Sequence, residues 1–166
     1  MELLVLRLVH VVGGVFWVGA ALFTAFFLMP VLGRIGPAAG QVMAGLQQRK
    51  LMVWLPVVAL LTILSGLRLM MIVSGGDSHW FVHRQGHTYS VAAALAIIAF
   101  LLGVFVSRPA MSRIAVLSQS AASDQTSRQM IADEVERLQR RSMRTTQVVT
   151  VMLLLSAAGM AIARYL

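Results

Sequence analysis

Apolar residues along this chain gather in four long runs, separated by stretches that are polar, glycine-rich or crowded with arginine. The first occupies about residues 3–32 and is broken near its end by Pro30; the others cover about 51–74, 89–107 and 148–165. A helix rises 1.5 Å per residue and about 20 apolar residues cross a hydrocarbon core, so each run is long enough to span a bilayer. No stretch reads as a strand. The pattern predicts an all-α fold: an integral membrane four-helix bundle, forming a single transmembrane domain over the whole chain. No strong repeat relates its two halves, and no low-complexity segment appears.

The connections carry structure of their own. Pro37 suits the first turn of a helix, so the second helix is expected to begin before the membrane, and Pro56 inside that helix should kink it. In the third connection Ser123 is an expected N-cap. Beyond it Ile131, Val135 and Leu138 form an apolar stripe at helical spacing, while Asp133 with Arg137 and Glu136 with Arg140 stand four residues apart as ion pairs. Residues 123–147 therefore read as an amphipathic helical stalk that extends the fourth span. It either packs on its neighbours or offers a docking surface to a partner.

Composition reinforces the membrane reading. The chain is 58% hydrophobic and 12% charged, against about a quarter charged in soluble domains. The formal charge of +8 raises nucleic acid as a partner, but the arginines flank apolar runs, where they set topology and meet anionic lipid headgroups. Arg34, Arg49 and Lys50 lie in the first connection; Arg108, Arg113, Arg128, Arg137, Arg140, Arg141 and Arg144 follow the third run. By the positive-inside rule these two connections are cytoplasmic and both termini face outward. The first run exceeds the apolar core of about 7–15 residues found in a cleavable signal. Absence of cysteine excludes disulfides, thiolate metal sites, iron–sulfur clusters and cysteine catalysis.

Polar groups inside a membrane are costly and point to function. His10 sits about 10 Å along the first helix and Arg68 near the outer end of the second. The connection GGDSHWFVHRQGHT adds His79, His83 and His87 on the same side. His10, Gly13, Gly14, Trp17 and Ala21 share one helix face. The two glycines leave a notch beside the imidazole, suited either to close approach of another helix or to a flat ligand. Axial histidine ligation is one way to hold haem iron, with His87 as the candidate second ligand, Arg68 opposite an anionic group and Trp17 as a wall. His79 and His83, four apart, suggest an alternative metal site. Methionines such as Met70 and Met71 raise a copper reading, since thioethers suit Cu(I). No hydrolase constellation or phosphate-binding loop is present, and the spans hold no Asp or Glu for proton-coupled transport.

The spacing of His10 to Trp17-Val18-Gly19, followed by Pro56 and Ser65-Gly66 in the second run and by Trp80 and Gly86 before the third, resembles small bacterial membrane proteins of the HemJ-type (protoporphyrinogen oxidase) and CopD-type (copper-resistance) families. The likeness covers about the first two thirds of the chain. It implies a helical bundle of the bacterial inner membrane with haem b on His10. It further implies electron transfer or oxidation of a hydrophobic substrate, with a porphyrin or quinone as partner, or else copper handling. The basic ending expected of a HemJ-type first helix is missing here, and the only lysine is Lys50. An accessory subunit of a larger respiratory or photosynthetic complex, or a homo-oligomer, is the non-catalytic alternative.

Overall fold

A computed structural model describes residues 1–35, 38–119 and 125–166. Every regular element in it is helical. Helix α1 (Glu2–Phe23) passes through a widened π turn (Thr24–Leu28) into the short α2 (Met29–Arg34); α3 (Ala38–Gln48) and α4 (Leu51–Ser74) follow. A 3₁₀ segment (Ser78–Val82) leads into α5 (Arg84–Leu102). A second π turn (Gly103–Ser107) continues it into α6 (Arg108–Gln119), and α7 (Gln125–Ala163) closes the chain. Pro37 and Ser123 lie outside the described residues.

Four helical stretches are long and apolar enough to cross a membrane: Glu2–Arg34, Leu51–Ser74, Arg84–Ile114 and Gln125–Ala163. Their apolar side chains point outward as well as inward. Val15, Phe27 and Phe105 are among the many large ones left exposed, which is how a bundle solvated by lipid presents itself. This is a multi-pass membrane protein. The second span is punctuated at both ends, by Lys50 and Gly75 in the left-handed conformation, and α4 runs through Pro56 without interruption. The third helix starts at Arg84, earlier than the apolar run beginning at Tyr89, because His83 in extended backbone serves as its N-cap.

Helix α1 packs chiefly on α4 and α5 on α7, with lighter contacts of α1 with α7 and of α4 with α5. The core between them is small-residue packing, Ala21, Ala59, Ala96 and Ala99 around Trp17 and Leu153. Trp17 meets Phe100 edge to face across the bundle, ring centres 6.4 Å apart. At the end away from the termini, α7 extends past the bundle as the expected stalk. Its stripe Ile131, Val135 and Leu138 is half-buried, and α6 packs along α7. Glu136 pairs with Arg140 at 2.6 Å. Asp133 does not pair with Arg137; it accepts from Gln129 at 3.2 Å, and Glu134 takes Arg113 of α6 at 2.9 Å.

The backbone reveals a relation between the halves that residue identities hide. Pro30 and Pro109 each lack an N–H and crowd the carbonyl four residues back. In both places the preceding turn widens, so that Met29 donates to the Thr24 carbonyl and Arg108 to the Gly103 carbonyl, five residues back. A π turn keeps these backbone groups satisfied where water is absent. Superposing the two prolines along the sequence sets His10 against Tyr89, Gly13 against Ala92, Trp17 against Ala96 and Ala21 against Phe100. Each half is thus a helix, a π turn, a proline and a returning helix.

Candidate functional site around His10

The inward face of α1 develops as its spacing requires: His10, Gly13 and Gly14 are half-buried, Trp17 and Ala21 buried. At its His10 end this face meets α4, while Trp17 and Ala21 meet α5 and α7. The His10 Nδ1 lies 2.8 Å from the carbonyl oxygen of Thr62. A carbonyl only accepts, so Nδ1 carries the proton and donates, and in the neutral ring Nε2 keeps its lone pair. Nε2 has no hydrogen-bond partner among the described residues. The Ser65 hydroxyl donates to the Leu61 carbonyl at 2.7 Å and also lies 3.0 Å from the Thr62 carbonyl, while the Thr62 hydroxyl donates back to the Val58 carbonyl at 2.8 Å.

Two glycines make this approach possible, one from each helix. A Cβ at Gly13 would collide with the Thr62 hydroxyl. A Cβ at Gly66 would stand 2.6 Å from His10 Cε1 and 2.8 Å from Nδ1, well inside the separation of about 3.5–4.0 Å at which such atoms pack. The notch at Gly13 is therefore occupied by Thr62, and the imidazole itself fills the matching notch at Gly66. Gly14 is looser, with the Thr62 methyl 3.8 Å from its would-be Cβ.

The other sequence candidates fall elsewhere. Arg68 reaches Glu2 at the start of α1, 2.8 Å away, with both side chains more than half exposed; its anionic partner is a residue of this chain. His87, in the first turn of α5, lines a groove against α7 and does not share the α1–α4 seam with His10. His79 and His83 do not share a helical face. His79 belongs to the 3₁₀ segment, where its N–H is capped by the Asp77 carboxylate at 2.8 Å, and His83 is in extended backbone with ψ 152°. Among the described residues no group of three or more metal-ligating side chains assembles. Trp17 is a core residue packed on Phe100 rather than the wall of a cleft.

The connection carrying these histidines is closed down on α5. Trp80 stacks on Tyr89, centres 6.1 Å apart and planes 12° from parallel. A Cβ at Gly86 would run into the Trp80 carbonyl. Sequence reasoning missed Thr62, whose role is carried by a backbone carbonyl and has no residue signature. It also missed Glu2, which lies beside the end of α4 and pairs with Arg68, a residue distant in sequence. With Nδ1 engaged by the Thr62 carbonyl, His10 Nε2 is a nitrogen donor of the kind that haem iron takes. Among the described residues, the candidate second ligand His87 lines the α5–α7 groove instead. Comparison with protein-family models, with curated proteins and with solved structures finds no match to this chain, so the likeness to HemJ-type and CopD-type proteins rests on residues of its sequence alone.

Proposed function

We propose that this chain is a small b-type haem protein of the bacterial inner membrane, with both termini on the outer side and His10 Nε2 as the nitrogen that would hold the haem iron. The observation that carries the reading is the bond from His10 Nδ1 to the Thr62 carbonyl at 2.8 Å. A ligating histidine commonly donates its other N–H to a carbonyl or carboxylate, which fixes the tautomer and aims the free nitrogen. Here Thr62 does this from a helix backbone. The result is an imidazole lone pair without an internal partner, in a segment where an unpaired polar atom is costly.

When bound, haem would supply one-electron chemistry. The chain's contribution would be to hold the imidazole by Thr62, keep its ring against Gly66 and exclude water by the α1–α4 seam. Arginines in the first and third connections support the orientation by the positive-inside rule.

The close packing favours a second reading, in which the chain is a non-catalytic subunit of a larger membrane complex. Gly13, Gly66, Thr62 and His10 together fill the α1–α4 seam, and a histidine bonded across helices serves association alone.

Absorption spectra of detergent-purified protein, oxidised and reduced, decide between them. The haem reading expects a Soret band that sharpens on reduction and disappears in His10→Ala while His87→Ala retains it. Folded, fully expressed and colourless protein refutes it and leaves the subunit reading.

A further inference from the structure

A groove between α5 and α7 is unused by anything at His10. Its floor is made by small residues. Ser156 donates to the Ala92 carbonyl at 2.7 Å, drawing α7 onto α5, and Gly159 faces Ala92 so closely that a Cβ there would stand 3.3 Å from the alanine methyl. Val91, Leu95 and Leu155 rise on either side, and the hollow, open along the surface, measures about 240 Å³. From His87 to Leu95 it extends about 12 Å along the helix.

The two ends of this groove differ in chemistry. Toward the middle of the bundle it is lined by Val91, Leu95 and Leu155. At the end shared with the termini it opens on Thr88 and His87, and Arg84 stands one turn earlier on the same face of α5. Arg84 and His87 are both exposed, and Arg84 forms no ion pair among the described residues. The acids of this end are engaged elsewhere: Glu2 on Arg68, Asp77 as the cap of His79. Just past the end of α7, Arg164 is held over the Tyr165 ring at 5.1 Å. The mouth is therefore cationic and hydrogen-bonding, and the interior is hydrocarbon.

We propose that this groove binds one anionic phospholipid, its phosphate at Arg84 and His87 and the upper part of one acyl chain along Val91, Ala92 and Leu95. A hollow facing hydrocarbon fills with chains whatever the lipid. The unpaired guanidinium at the mouth, one turn from the imidazole, is what selects the charge of the headgroup. The proposal is independent of any ligand at His10.

The full-length protein, delipidated in detergent, is titrated with dioleoyl phosphatidylglycerol or dioleoyl phosphatidylcholine, and bound lipid is counted by native mass spectrometry. The expected result is one phosphatidylglycerol per chain, preferred about fivefold over phosphatidylcholine for the one full cation at the mouth. Arg84→Gln, an exposed change that leaves packing alone, should erase the preference. Val91→Trp should plug the hollow and displace both lipids. Equal binding of the two lipids by the wild type, or an undiminished preference in Arg84→Gln, overturns the assignment. So does retention of phosphatidylglycerol by a folded Val91→Trp protein.

Discussion

Replacing Gly66 by alanine tests the seam on which the His10 site depends. The added methyl would lie 2.6 Å from His10 Cε1 and 2.8 Å from Nδ1. Normal carbon contacts need about 3.5–4.0 Å, so the ring must retreat by about 1 Å. A retreat of that size stretches the 2.8 Å bond to Thr62 beyond hydrogen-bonding range. The lost bond contributes about 0.5–1.5 kcal/mol and the overpacking about 1–3 kcal/mol. Against this, alanine in a helix gains up to about 1 kcal/mol over glycine. The net expectation is a destabilisation of about 1–3 kcal/mol, read from reversible unfolding in mixed micelles.

Gly19→Ala is the control. Nothing lies within 4 Å of its would-be Cβ, so it should be neutral or stabilising by up to about 1 kcal/mol. The decisive measurement is the double-mutant cycle with His10→Ala. Once the ring is gone, the methyl at Gly66 enters the space it vacated, and the two changes should couple by about 1–3 kcal/mol. Additivity within about 0.5 kcal/mol would falsify the seam as described, because it would mean the imidazole does not rest on Gly66.

Three further outcomes follow from the packing. Trp17→Ala removes the largest side chain of the core and its edge contact with Phe100; it should destabilise by about 3–5 kcal/mol in the same assay, and a change below about 1 kcal/mol would contradict its burial. The Ser142 hydroxyl is buried without a partner among the described residues, so Ser142→Ala should leave stability unchanged or raise it by about 1 kcal/mol; a loss of that size would reveal a bond the hydroxyl makes. The Arg68–Glu2 pair is more than half exposed on both sides, so Glu2→Gln should destabilise by less than about 1 kcal/mol, and less again at high salt. A larger, salt-insensitive effect would place the pair in a low-dielectric setting.

Much of the architecture was legible because lipid imposes a length rule on apolar runs. The second span agrees at both ends, 51–74 by hydropathy and Leu51–Ser74 as a helix. The third disagrees at its start because hydropathy does not register the polar residues Arg84 to Thr88, which are nonetheless helical behind the His83 cap. The site was legible only in part. The face of His10, Gly13, Gly14, Trp17 and Ala21 follows from helical period. Which helix covers it, and with what, does not follow from the period of α1. The partner of His10 is a main-chain oxygen, and the partner of Arg68 is a glutamate distant in sequence.

The relation between the halves explains why one histidine stands without a counterpart. What the halves share is a backbone device, a proline preceded by a π turn, and such a device constrains side chains only at the proline. Core positions are then free to differ so long as volume is conserved across the bundle. Trp17 aligns with Ala96 and Ala21 with Phe100, so each half places its large residue where the other is small, and the two rings meet at the centre. The position matching His10 is Tyr89, whose ring is committed to stacking on Trp80 and sealing the connection over α5. Symmetry of the backbone therefore does not generate a pair of facing imidazoles. One half carries the polar group at the α1–α4 seam while the other closes the end of the bundle.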